Sequence, residues 1–270
     1  MMKYLFGGAG LITISLALTT LVNQESLSTP MAPTASVVKL TPDSIYNRHV
    51  NELYKSAHLA ESGLTESVFE KAVTGFYNLK KSGQLSEHKD ILTIADFDQS
   101  STKKRLWIID LDQKKLLLNT WVAHGQRSGT DKATRFSNTN DSFQSSIGFY
   151  LTAEVYRGQH GKSLRLDGMD EGFNSNARKR SIVVHGADYV SQGTINALGR
   201  LGRSQGCPAV APELANQVIN SIEGGTVLFI NVSDPYYTSR YLNTHVAAMY
   251  ATNDINTVPQ TELADTSLSI

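Results

Sequence analysis

The sequence predicts a mainly β fold of the α+β class: a β-sandwich or barrel core, an N-terminal helical pair, and a further helix after a cysteine-bearing loop. Three observations predict it. Apolar residues recur at helical spacing over 46–57 and 65–83, short apolar or alternating runs fill 91–232, and no strand–helix–strand alternation makes those runs a doubly wound sheet. At 270 residues the chain suits one large domain or a domain with an appendage. The 25 Lys+Arg balance 25 Asp+Glu, so no basic face is large enough for phosphate-backbone binding, and nucleic acid is excluded as the main partner.

In chain order, residues 1–23 come first. Lys3 precedes an uncharged, largely apolar run over 4–23, which reads as an export signal or, if uncleaved, as a membrane anchor. Residues 24–41 form a linker rich in Ser, Thr and Pro, and 42–89 a helical extension. In its first helix Tyr46, Val50, Leu53, Tyr54 and Ala57 share one face. In its second, Thr65 is the N-cap, Leu64 and Phe69 are placed as a hydrophobic staple, and Gly83 follows the end. Val68, Phe69, Ala72, Val73, Phe76 and Tyr77 form its apolar stripe, and His49 and His58 read as surface or boundary residues.

The core is expected over 90–235, with strands at 91–97, 105–111, 115–124, 147–156, 163–168, 181–186 and 226–232. Before the last of these, Pro212 opens a helix, Leu214, Val218, Ile219 and Ile222 recur along it, and Gly224-Gly225 stop it. Residues 236–270 are expected as a C-terminal tail whose end, from about Thr252, is loose.

The chain has one cysteine, Cys207, which excludes an intramolecular disulfide framework and multi-cysteine metal sites. In an exported chain an unpaired thiol is expected to have a use; the alternative is a buried, inert cysteine. It sits in GRLGRSQGCPAV, 199–210, where Gly199, Gly202 and Gly206 surround Arg200, Arg203, Ser204 and Gln205. That composition suits a site better than a core. Arginines beside a thiol favour the nucleophilic thiolate, and the N–H groups of Gly206 and Cys207 are candidate oxyanion donors. Pro208 fixes the chain beyond them. The candidate base is His185, which closes the apolar run SIVV and precedes Gly186; the structural alternative is a strand-end histidine satisfied by backbone. His124, His160, His185 and Cys207 are a permissible zinc ligand set without zinc-like spacing, so no metal is expected, nor any cofactor.

SIVVHGADYVS (181–191) followed by 199–210 resembles the H-G … S-x-G-C signature of the murein L,D-transpeptidase catalytic domain family, the YkuD-like fold, in its S-x-G-C-P-A branch. Similar blocks lie upstream at 93–111, 121–129, 136–152 and 160–174, so the resemblance spans roughly 90 to 232. It implies an exported enzyme of the bacterial cell envelope or periplasm, acting on peptidoglycan stem peptides. Cys207 would attack the carbonyl between the L-centre of the third-position diamino acid and the terminal D-Ala of a tetrapeptide. An amine acceptor (a second stem, a D-amino acid or a protein) would then take the acyl group. In this comparison Cys207 is the nucleophile and His185 the base and later acid. Gly186 belongs to the turn orienting the imidazole, while Ser204 and Gly206 shape the nucleophile loop and oxyanion pocket.

The sequence departs from the family where Gln205 replaces the usual His before Gly-Cys and Pro208-Ala209 replaces the usual Arg or Asn after it. Gln205 cannot become cationic, so Arg203 is expected to compensate. For substrate the candidates are Arg203, Gln205, His124, His160 and Arg165; the two histidines, each in a His-Gly pair, read first as turn residues closing strands and second as cleft residues. The Arg178 to Arg180 run either meets carboxylates or is a solvated loop. Gly148 is expected to serve close packing. The competing functions are an L,D-carboxypeptidase using the same dyad and a silent peptidoglycan-binding module.

Overall fold

The computed structural model describes residues 41–257. Thr41 caps α1 (Pro42–Ser56) by accepting from the Ser44 N–H at 3.2 Å, and Pro42 occupies the first turn, where its missing N–H costs nothing. Thr65 precedes α2 (Glu66–Lys81) in extended conformation, although its hydroxyl does not cap the helix. Gly83, at φ +69°, follows α2 in the left-handed conformation that glycine adopts without strain. Gly75 brings α2 close to the sheet, since a Cβ there would lie 2.0 Å from the Phe149 ring.

Eight strands form one mixed sheet in the order β3-β2-β1-β8-β4-β5-β6-β7. They are β1 (Ile91–Asp96), β2 (Leu106–Asp110), β3 (Lys115–Thr120), β4 (Gly148–Gly158), β5 (Gly161–Gly168), β6 (Val183–Gly186), β7 (Ala209–Val210) and β8 (Val227–Asn231). Only β1 with β8 and β6 with β7 pair in parallel. Beyond β3 the chain curls back to β7: the Ala123 N–H donates to the Ala209 carbonyl at 2.8 Å and the Ala209 N–H donates in return at 3.3 Å. These bonds tie the two sheet edges into a nearly closed barrel.

Both faces of the sheet are covered. Leu92, Ile94, Trp107, Phe149 and Phe229 pack with α1, α2 and α5 (Thr244–Thr257), while Ala95, Leu106, Tyr150, Leu164 and Leu228 pack with α4 (Pro212–Ile222). Burial on both faces explains near-continuous apolar strands in place of strict alternation.

Several elements differ from the sequence expectation, among them the two-residue strand β7, which was not expected. The 115–124 strand stops at Thr120, because residues 121–124 leave β2 to reach β7. A short helix, α3 (Gln192–Leu198), buries none of its residues and so carries no apolar stripe to read. The tail expected from 236 is instead a 3-10 turn (Arg240–Leu242) and α5, whose Ala247, Ala248 and Ala251 are buried with α1 and α2. The apolar run over 4–23 lies outside the described residues; among those described, no helix is long and apolar enough to cross a membrane.

Candidate active site

The parallel register of β6 and β7 sets His185 opposite Ala209, so the loop before β7 lies beside β6. His185 is buried, and its Nδ1 is 2.9 Å from the Gly186 carbonyl. A carbonyl only accepts, so Nδ1 carries the proton and Nε2 is the basic nitrogen. Burial and the neighbouring His160 push the His185 pKa down against the pull of that carbonyl, and the ring is neutral at neutral pH.

Cys207 is partly exposed and lines the same cleft as His185, a space of about 490 Å³ also bordered by Tyr189, Arg180, Arg203 and Gln205. Its Sγ–H donates to the Ser181 carbonyl at 3.7 Å, so in this state the thiol's hydrogen bond goes to backbone. Burial pushes the thiol pKa up, while the Val183 N–H and the Arg180 guanidinium act the other way.

Ser204 holds the loop around Cys207: its hydroxyl donates to the Cys207 carbonyl at 2.6 Å and accepts from the Gly206 N–H at 3.0 Å. Gly206 has φ +126°, and a Cβ there would lie 2.7 Å from the Gln144 carbonyl. Glycine is required twice over, by conformation and by space. The Gly206 N–H expected as an oxyanion donor is occupied by Ser204, whereas the Cys207 N–H has no hydrogen-bond partner among the described residues. Gly186 packs against α4, where a Cβ would lie 2.9 Å from the Ala215 Cβ.

A family model for the L,D-transpeptidase catalytic domain matches residues 60–231. The chain belongs to that family. The match takes in α2 as well as the sheet through β8. No protein of curated function matches the chain in sequence. Solved structures similar to it include an L,D-transpeptidase from Mycobacterium smegmatis, 13% identical over 53% of this chain and 59% of that one, with TM-score 0.33. L,D-transpeptidase 3 from Mycobacterium tuberculosis with a faropenem-derived adduct is 15% identical over 53% of this chain and 61% of that one, TM-score 0.33. The helical cell shape determining protein Pgp2 from Campylobacter jejuni is 11% identical over 68% and 64%, TM-score 0.38. The chain spans roughly three-fifths of the length of these structures.

In this L,D-transpeptidase domain the remaining predicted residues part company. His160 stands exposed in the β4–β5 turn and stacks on His185, ring centroids 4.4 Å apart and planes at 27°. Gln205 is exposed and borders the cleft. Arg203 borders it too, but donates to the Gly129 carbonyl at 2.8 Å and the Gln126 carbonyl at 3.3 Å. Arg180, from the basic run at 178–180, borders the same cleft.

His124 lies outside the cleft lining, 1% exposed, with Nδ1 accepting from Arg105 Nη2 at 2.8 Å. Its carbonyl accepts the Ser204 N–H at 2.9 Å, so it braces the loop around Cys207 from behind. Arg165 is also outside, paired with Glu154 at 3.1 Å and lying over the Tyr156 ring. Arg178 pairs with Asp167 and Glu154 at the surface. Sequence reasoning missed Tyr189 and the 140–143 segment as cleft residues. Gly202, whose Cβ would lie 2.3 Å from that of Tyr189, was the one local signal for that ring. Among the described residues no group of three His, Cys, Asp or Glu is placed to hold a metal ion.

Proposed function

We propose that the chain is an exported L,D-transpeptidase of the bacterial cell envelope that cleaves the bond between the L-centre of a stem-peptide diamino acid and the terminal D-Ala. The observation carrying this reading is that Cys207 and His185 border one cleft, with Nδ1 of the imidazole tied to Gly186 and Nε2 left basic. His185 takes the thiol proton as Cys207 Sγ bonds to the carbonyl carbon, and the resulting oxyanion is met by the Cys207 N–H. The C–N bond then breaks, and the leaving D-Ala nitrogen takes the proton from His185. The thioester is resolved by an acceptor amine, whose proton passes to His185 and then to the departing thiolate. The uncharged run at 4–23 supports export, by signal or anchor.

The test incubates the purified chain with tetrapeptide muropeptides and reads products by mass spectrometry. Loss of D-Ala with a dimer joined between third residues is the expected result; loss leaving only tripeptide makes the chain a carboxypeptidase. Cys207→Ala is expected to lose turnover by at least ~10³-fold, and wild-type turnover in that variant overturns the covalent mechanism. A carbapenem mass adduct confined to Cys207 is the expected companion result.

A further inference from the structure

Of the basic run 178–180, only Arg180 lines the cleft; Arg178 is neutralised by Asp167 and Glu154. No carboxylate pairs with Arg180 among the described residues. Its guanidinium is instead held by four oxygens of one segment. Nη1 donates to the Ser137 carbonyl at 2.6 Å and the Ser146 hydroxyl at 3.1 Å, Nη2 to the Gln144 carbonyl at 2.6 Å and the Ser142 hydroxyl at 3.2 Å. Nη2 also lies 3.4 Å from where a Cβ on Gly206 would stand, so the cation rests against the residue before the nucleophile. From the other side, the Ser145 hydroxyl donates to the Gly206 carbonyl at 3.1 Å.

We propose that Arg180 is the positioning residue of the nucleophile: it supplies beside Cys207 the positive charge that Gln205 cannot carry, and it clamps the 137–146 segment against Gly206. The inference rests on Cys207 being the nucleophile. With all four Nη protons spent on protein oxygens, Arg180 acts on the thiol as a fixed charge rather than as a fork for a substrate carboxylate. The other titratable or charged groups bordering the cleft are His185 of β6, Tyr189 after that strand, Tyr156 and His160 of the β4–β5 hairpin, Asp141 of the clamped segment and Arg203 of the nucleophile loop. Of these, Arg203 turns its Nη1 to the carbonyls of the 126–129 turn.

The test is the pH dependence of Cys207 alkylation by iodoacetamide, in which the thiolate forms a C–S bond as iodide leaves. It needs no turnover, so it answers even if the muropeptide assay fails. Arg180→Met is expected to raise the apparent thiol pKa by about one unit, slowing alkylation near neutral pH roughly tenfold, while Arg203→Met leaves it unchanged. Arg180→Lys, which keeps the charge but loses the fork, is expected to restore most of the pKa; it also decides the matter should Arg180→Met not fold. A wild-type profile in folded Arg180→Met, or a shift in Arg180→Lys as large as a full unit, or a shift in Arg203→Met in place of Arg180→Met, overturns the proposal.

Discussion

His124 and Arg105 show how much a single buried pair fixes. Arg105 is fully buried, donates to the Gln99 and Val122 carbonyls and to His124, and lies over the Phe97 ring 4.9 Å away. Burial lowers its pKa to about 10, so it remains a cation at neutral pH. His124 must therefore stay neutral, and burial with the adjacent Arg105 lowers its pKa to about 4. Above pH ~6.5 neither the folded nor the unfolded chain protonates this ring. Between there and about 4 the unfolded chain holds a proton that the folded chain refuses, so stability falls with pH and levels off below. The expected loss is up to ~3 kcal/mol, with His185 adding in the same direction. Urea midpoints at neutral and acid pH check it, and His124→Gln, which can still accept from Arg105, is expected to flatten the slope. Three His-Gly pairs read alike in the sequence. Depth sets His160 apart and the neighbours of the ring separate the other two, and a dipeptide encodes neither.

The loop carrying Cys207 is an element built almost without regular structure, since β7 has only two residues. Gly206→Ala is expected to leave the barrel folded while cutting Cys207 alkylation and turnover ~10²-fold or more, because the added methyl meets the Gln144 carbonyl at 2.7 Å and displaces the loop. Circular dichroism beside an alkylation assay checks both halves. The central strands β1, β2 and β8 were legible in the sequence because burial on both faces makes them nearly continuous apolar runs. α3 and α5 were not: α3 buries nothing, and α5 presents alanines, which are too small to mark a stripe.

For the whole molecule, Asp170 joins the C-terminal segment to the sheet. Its carboxylate accepts from the Phe149 N–H at 2.8 Å, the Tyr237 hydroxyl at 2.7 Å and the Ser239 hydroxyl at 2.5 Å, although burial pushes its pKa up. Asp170→Asn is expected to cost ~2–4 kcal/mol in chemical denaturation and to speed hydrogen exchange in α5 first, since the turn leading into α5 loses its anchor.

By itself the sequence determined the mainly β core, the two N-terminal helices and the candidate pair Cys207 and His185, because each follows from local pattern or from a residue with no substitute in the chain. Three matters were decided only by the tertiary structure: which arginine of the basic run borders the cleft, which loop N–H remains free, and how Ala123 and Ala209 close the sheet. Each depends on short distances between residues far apart in the chain. The strength of a charge or hydrogen bond is set by those distances and by the water excluded around them, neither of which is written in the order of residues.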